Sequence, residues 1–417
     1  MSRIMLTWEL GMNLGHLARL LPVAQKLKER GHAVLVAARD LAAAAIVLGP
    51  AGISFVQAPH LPQGIPLPHR PTGYADILLS QGWADRDTLW GLTQGWINLY
   101  RMFRPDTLII DYSPTARLAA YIADLPVILV GNGFELPPAT DPLPPFPGFS
   151  WATQEKASMS ECIAITNACA IARSFKKAGP HALRDAISGD AVLLATLPEL
   201  DHYGAREDAC YVGPLLGKIY VERAEWPEGS RGRIFACLRP DTKNVEAILS
   251  GLFVSTASVV CFSPGFTRQS LNPYRRSGMQ FFTQPVDLDH LAFESSLCVS
   301  YGAEGTMAKF LLAGVPQLIS PTQVEAHMAA RRIESIGVGF TLHGVRTGTE
   351  LASLIDVLIR DEQLHQRAKQ FSRRQHVGMG TCLNRKAVEK CANEALIDAI
   401  SAFSELQMPS AMGNVTV

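Results

Sequence analysis

What the sequence lacks narrows its function first. Lysine and arginine (38) are matched by aspartate and glutamate (38), and charged residues are only 18% of the 417. There is no excess of positive charge to hold a nucleic acid. No apolar run is long enough to span a bilayer: the most apolar, Leu41 to Leu48, is bounded by Asp40 and Gly49-Pro50. A peripheral membrane contact is allowed, but nothing in the sequence supports it. The first residues show no basic leader, apolar stretch and small-residue cleavage site, so no signal peptide is expected. The 8 cysteines form no Cys-x-x-Cys pair, and Cys237, Cys261 and Cys298 sit in apolar runs. That is the pattern of reduced core thiols, and a cytoplasmic location is expected. No two histidines have metal-ligand spacing around a glutamate, so no metal is expected.

What is present is an alternation of short apolar strands and periodic helices, repeated in two halves of a chain long enough for two domains. Ile4 to Trp8 reads as a strand, Glu9 to Gly15 as a loop, and Leu17, Leu20, Leu21, Ala24 and Leu27 mark one face of a helix ended by Gly31. Ala33 to Ala37 is the next strand, giving a βαβ unit and a parallel pair. A helix over Leu41 to Leu48 and strands at Ile53 to Gln57, Thr107 to Ile110 and Pro126 to Val130 continue the pattern. Helical segments are expected between Trp151 and Ser188. A charged, glycine-rich stretch from Glu225 to Arg233 reads as a linker, and the alternation restarts at Ile234. The fold class expected is α/β with two doubly wound, Rossmann-like domains. Their bounds are 1–212, a linker at 213–232, 233–382, and a terminal helix and tail at 383–417.

Two long proline-rich loops, His60 to Thr72 and Leu136 to Pro147, break the rhythm, with Trp83, Trp90, Trp96 and Tyr100 between them. These aromatics read either as core or as the wall of an apolar acceptor cleft. Further on, Leu297 to Val299 is a buried strand, followed by Tyr301-Gly302-Ala303-Glu304-Gly305-Thr306 and a helix from Thr306 to Ala313 closed by Gly314. Small residues ahead of a helix N-terminus let backbone N–H groups approach an anion. The same residues also suit an ordinary strand-to-helix turn.

That second-half run resembles the nucleotide-sugar segment of the UDP-glycosyltransferase family, enzymes of the GT-B fold, with its His-Gly-Gly-x-Gly-Thr, helix, Ala-Gly-Val-Pro, Pro and Asp-Gln. Gly302, Gly305, Thr306, Ala313-Gly314-Val315-Pro316 and Pro321 match in spacing, as do Ala329-Ala330-Arg331-Arg332-Ile333, Gly337 and Gly339. Three places depart: Tyr301 replaces the family's phosphate-binding His, Ala303-Glu304 replaces Gly-x, and Glu325-Ala326 replaces Asp-Gln. The first loop, Gly11-Met12-Asn13-Leu14-Gly15-His16, with Arg19, Pro22 and Arg30-Gly31-His32, resembles the family's opening pattern.

The resemblance implies two domains facing across a cleft, the first for the acceptor and the second for the donor. It implies an inverting transfer of a UDP- or dTDP-hexose to a hydroxyl of a small or lipid-like acceptor, with no cofactor beyond the nucleoside diphosphate sugar. His16 would be the general base, an imidazole being able to take and return a proton near neutrality. Asp111 would orient it, although as Asp-x-x-Pro it also reads as a cap for the helix at Pro114; Asp106 lies before its strand and suits the role less. Asn13 and Gly15 would shape the acceptor loop. Gly302, Ala303, Glu304, Gly305 and Thr306, with Tyr301, would take the diphosphate; Gln323 and Glu325 would take sugar hydroxyls, and Phe282 and Val286 the base. Three other readings stay open. A dinucleotide-binding oxidoreductase lacks Gly-x-Gly-x-x-Gly after the first strand, though Asp40 could hold a ribose. A GT-B sugar-nucleotide epimerase or a non-catalytic sugar-nucleotide binder would share the architecture. Asp287-Leu288-Asp289 could be a metal motif, but it more readily opens a helix.

Overall fold

A computed structural model describes residues 1–378 apart from 13, 216, 218–222, 229–231 and 345. The helix expected at 383–403 lies outside the described residues. The chain divides into two units, Met1–Pro198 with Ala205–Gly217, and Glu199–Gly204 with the described residues of 218–388. In the first, runs of Val, Ile and Leu become strands and the periodic segments between them helices. The order is β1 (Arg3–Trp8), α1 (Gly15–Glu29), β2 (Ala33–Ala38), α2 (Leu41–Val47), β3 (Ser54–Gln57), α3 (Tyr74–Leu78), α4 (Arg86–Phe103), β4 (Thr107–Asp111), α5 (Pro114–Ala123), β5 (Val127–Gly131), α6 (Gln154–Ser174), α7 (Leu183–Ile187), β6 (Ala191–Leu194) and β7 (Cys210–Tyr211). The strands pair in parallel in the order β3-β2-β1-β4-β5-β6-β7.

The second unit holds β8 (Arg233–Cys237), α8 (Val245–Val254), β9 (Ser258–Phe262), α9 (Arg268–Leu271), β10 (Met279–Phe282), α10 (Leu288–Glu294), β11 (Leu297–Ser300), α11 (Glu304–Leu312), β12 (Gln317–Ile319), α12 (Val324–Ser335), β13 (Gly339–Thr341), α13 (Gly348–Arg360) and α14 (Glu362–Gly378). Its parallel sheet runs β10-β9-β8-β11-β12-β13. Each sheet thus starts at a central strand, winds outward to one side, and returns to build the other. In such sheets the loops at the carboxyl ends of the two central strands diverge and leave a crevice. β1 and β4 flank that point in the first unit, β8 and β11 in the second.

The structure moves several expected boundaries. α1 begins at Gly15 and α11 at Glu304, so Gly15, Glu304 and Gly305 are helical rather than loop, and Thr306 lies in the first turn of α11 instead of opening it. Ala303 is the last extended residue before α11, and once it turns, nothing in Glu-Gly-Thr prevents the helix from starting. Between Trp151 and Ser188 the helix stops at Ser174 and a short one comes next at Leu183–Ile187. Part of the stretch expected as a linker is packed: Ala224 is buried and Trp226 lies against the cluster of Phe235, Val260, Leu291 and Phe310. Glu199–Gly204, expected in the first domain, belongs to the second unit. There the Glu199 carbonyl accepts from Arg332 Nε at 3.0 Å and its carboxylate from Gln375 Nε2 at 2.7 Å. Asp287 caps α10, its side chain accepting from Asp289 N, so it acts as a helix opener. No helix among the described residues is long and apolar enough to cross a membrane.

The tryptophans separate. Trp83 and Trp96 are wholly buried, Trp96 in the first-unit cluster with Met5, Leu108, Ile110 and Tyr100, whereas Trp90 is exposed and stacks on Phe175. Trp96→Ala should therefore cost about 3–5 kcal/mol of stability through lost burial and a cavity, read as a lower denaturant midpoint by circular dichroism. A change below about 1 kcal/mol would remove Trp96 from the core and favour the cleft-wall reading.

Candidate active site

His16 sits in the first turn of α1, and Asp111 is the last residue of β4, the strand beside β1. Parallel register sets Trp8 opposite Asp111, so the loop that leads from β1 to His16 leaves at the same level as the end of β4. His16 Nδ1 is 2.9 Å from Asp111 Oδ1, with the carboxylate wholly buried and the imidazole nearly so. A carboxylate accepts, so the shared proton belongs to Nδ1 and Nε2 is left with its lone pair. Trp8 and Tyr112 stack on the ring at 5.5 and 5.9 Å between centroids. Nε2 abuts Gly11, whose φ is +80°, and a Cβ placed there would lie 2.3 Å from it. Gly11 is therefore required both by its backbone and by the imidazole.

Asp111 does not cap α5. That helix has Ser113 at its N-cap and Pro114 in its first turn, while Asp111 is turned to His16 and Arg19. Asp106 accepts from Arg3 N at 2.7 Å, before β4 begins. Asn13 lies outside the described residues. Gly15 opens α1 with free space where a side chain would be.

Three buried charged groups in the same unit were given no role by the sequence. Arg19, three residues after His16, donates from Nη1 to Asp111 Oδ1 at 2.9 Å and to Glu135 Oε2 at 2.6 Å. Glu135 stands in the turn after β5 and lies 3.8 Å from His16 Nδ1. Glu9, just past β1, accepts from Thr115 N at 2.9 Å and so fastens the end of β1 to the first turn of α5. The i, i+3 spacing of His16 and Arg19 on one helix face was a usable signal. For Glu135 the usable signal was its place just past the carboxyl end of a buried strand, where side chains of an open sheet meet the crevice.

These burials shape the titration. Burial opposes the His16 cation, but the attraction and hydrogen bond of Asp111, with Glu135 behind, outweigh it and raise the pKa above the ordinary 6.5. Burial pushes Asp111 up, against Arg19 and His16. Glu135 is also desolvated, yet Arg19, His16 and the Asn132 N–H bring it below the usual carboxylate range. Glu9 is pushed by burial up to about 7 despite its hydrogen bonds.

In the second unit Tyr301 comes directly after β11 and its N–H donates to the Cys237 carbonyl at 3.1 Å. Burial lifts its phenol well above the usual range, so it is a neutral donor. Arg239, just beyond β8, lies over the ring at 5.6 Å. Gly302 has a φ of +96°, and a Cβ there would meet that of Ala326 at 2.8 Å. Ala303 precedes α11 without a side-chain cap, and the N–H groups of Glu304, Gly305 and Thr306 fall in the first turn, ahead of the ladder of bonds within the helix. Thr306 hydrogen-bonds the Cys237 thiol, which burial pushes up to about 12. Gln323 is the N-cap of α12 and Glu325 stands in its first turn, close enough to Tyr301 to raise its pKa. Phe282 ends β10, and Val286 is buried in a cluster against which Phe282 and Tyr301 pack. The structure thus joins Tyr301, Phe282 and Val286 in one apolar group, with Val286 inside it.

No protein-family model matches the chain. A "PGL/p-HBAD biosynthesis glycosyltransferase" of Mycobacterium tuberculosis (strain ATCC 25177 / H37Ra) is 23% identical over 288 residues, which are 64% of this chain and 66% of that protein. Among solved structures, the glycotransferase of kitacinnamycin superposes with a TM-score of 0.69 at 16% identity, covering 96% of this chain and 98% of that one. Glycosyltransferase VinC in complex with DTDP gives 0.66 at 17% identity, over 94% of this chain and 100% of that one. SsfS6 of Streptomyces sp. SF2575, complexed with thymidine diphosphate, gives 0.63 at 15% identity, over 96% and 100%. The chain has the GT-B glycosyltransferase fold of two Rossmann-like units, which its sequence resemblance implies.

Proposed function

We propose that the protein is an inverting glycosyltransferase, moving a hexose from a nucleoside diphosphate to a hydroxyl of a small or lipid-like acceptor. The observation that carries this reading is the buried 2.9 Å bond between His16 and Asp111 at the crevice of the first sheet. Nε2 takes the proton of the acceptor hydroxyl as its oxygen attacks the anomeric carbon; the C–O bond to the diphosphate breaks, and the leaving group carries off the electron pair. One displacement inverts the anomeric centre, so an α-linked donor gives a β-linked product. Asp111 holds the tautomer and steadies the imidazolium that forms.

The donor belongs to the second unit, where the first-turn N–H groups of α11, with Thr306, face the diphosphate and the helix dipole favours its charge. Tyr301 supplies a neutral donor where the resembled family has a histidine, Gln323 and Glu325 reach the sugar hydroxyls, and Phe282 and Val286 back the base. Thymidine diphosphate in the solved neighbours supports a dTDP-sugar over a UDP-sugar. The transfer is proposed to need no metal. His16, Asp111 and Glu135 are close enough to share a cation, but the Arg19 guanidinium already stands between the two carboxylates.

Calorimetric titration with dTDP- and UDP-hexoses should show binding, weaker than a histidine at 301 would give, since a hydrogen bond to a charged group is worth about 1.5–3 kcal/mol and a neutral donor supplies part of it. Gly305→Asp should abolish it by setting a carboxylate against the phosphates. Binding of NAD(H) in place of any nucleotide sugar would hand the site to the oxidoreductase reading.

His16→Ala should lower turnover about 100- to 10,000-fold, roughly 3–5 kcal/mol of barrier, with donor affinity unchanged. Gly11→Ala should reduce turnover in the same direction by displacing the ring from its place. The base must be neutral, so kcat/KM should fall as pH drops through the raised His16 pKa, with the midpoint above 6.5. An undiminished rate in His16→Ala, or retention at the anomeric carbon, would rule out this mechanism; a sugar altered at a ring carbon without acceptor would point to the epimerase.

A further inference from the structure

A base needs one orienting carboxylate, and His16 has it in Asp111, yet two more buried charges are built around the pair. Arg19 reaches the same Oδ1 that His16 uses, at the same 2.9 Å. Its cation therefore fixes Asp111 but also repels a proton on His16. Glu135 meets that cation at 2.6 Å and stands 3.8 Å from Nδ1. Its place is prepared by the backbone: Asn132 N donates to Oε2 at 2.7 Å, and Asn132 Oδ1 accepts from Phe134 N and Glu135 N at 2.9 and 3.0 Å. Gly131 leaves the room, for a Cβ there would lie 2.7 Å from Oε2.

We propose that Arg19 and Glu135 are a matched pair of positioning residues: Arg19 holds Asp111 against His16, and Glu135 cancels the charge Arg19 brings, so that His16 can take up a proton. The charge count supports it. With the imidazole neutral, two carboxylates against one guanidinium leave one negative charge over; with the imidazole protonated, none is left. Without Glu135 the balance reverses, and the proton would bring an uncompensated positive charge into a buried site, which low-dielectric surroundings resist. The groups facing the ring are Trp8 from β1, Asp111 and Tyr112 from β4 and the turn after it, Arg19 from α1 and Glu135 from beyond β5.

The inference rests on His16 being the base, but its test does not. The His16 imidazole is titrated by NMR in the full-length protein, its signals assigned by their loss in His16→Gln. Glu135→Gln should lower the titration midpoint by about one pH unit and Arg19→Met should raise it by a similar amount, each checked for folding by circular dichroism. Opposite shifts are the signature of a charge pair, and Glu135→Asp should restore most of the midpoint. Shifts of both variants toward 6.5, or none, would mean the two residues serve packing alone and overturn the proposal. If one variant does not fold, the sign of the other's shift decides; if neither folds, a wild-type midpoint at or below 6.5 overturns it and one above supports it. Opposite shifts together with an active His16→Ala would leave the charge pairing of Arg19 and Glu135 around His16 standing and remove the proposed mechanism; no shifts with an inactive His16→Ala would do the reverse.

Discussion

Everything in the first unit's site hangs on one oxygen. Asp111 Oδ1 accepts from both His16 Nδ1 and Arg19 Nη1, in a side chain with no exposure to solvent. A buried carboxylate is costly unless its charge and lone pairs are met. Here two donors from one helix face meet Oδ1 while Oδ2 is buried with no hydrogen-bond partner, so the charge of Asp111 leans on those two donors and fixes the rotation of α1 and the direction of the imidazole. The stacking of Trp8 and Tyr112 then limits the ring to one plane.

The sheet makes that meeting happen at a crevice. Because β1 and β4 are neighbours in parallel register, the loops leaving them part company, and the groups they carry face a gap in place of a packed helix. Glu9 closes the base of the gap by tying the end of β1 to α5, and Leu10 N adds a bond to the Tyr112 carbonyl at 2.9 Å. The second sheet repeats the same order around β8 and β11, which sets Arg239 and Tyr301 side by side at its own crevice. The two halves solve different problems with one topology: the first presents a lone pair, the second a row of N–H groups.

Local pattern carried the fold. The alternation of apolar runs and helical periods made both doubly wound sheets legible, since each period reflects which face must be buried. The His16 and Asp111 pairing was legible because each ends a strand or opens a helix, where the sheet directs side chains to the crevice. Glu135 was legible only in its place past the end of β5; what aims it at Arg19 is a turn built by Asn132 and a space left by Gly131, neither of which leaves a periodic trace. Nor was the early start of α11, for Glu304-Gly305 after Gly302-Ala303 reads as loop by composition while the backbone after Ala303 is already helical. The linker reading failed at Ala224 and Trp226, where a stretch of charged residues conceals two anchors whose burial depends on partners far along the chain.

The contact of Gly302 with Ala326 reaches beyond local packing. The resembled family has glutamine where Ala326 stands, and here that residue is buried with its methyl group pressed toward the face of Gly302, where a Cβ would come within 2.8 Å. The two positions form a single steric unit, and α12 lies as close to the loop as the smallest pair of residues allows. The missing amide is thus bound up with the spacing between helix and loop: a side chain larger than alanine at 326 would press on the backbone at 302, so under the proposed donor site the lost hydrogen-bonding group and the close approach of α12 come together. Variation at 302 and 326 would therefore be expected to travel together, since room gained or lost at one is felt at the other.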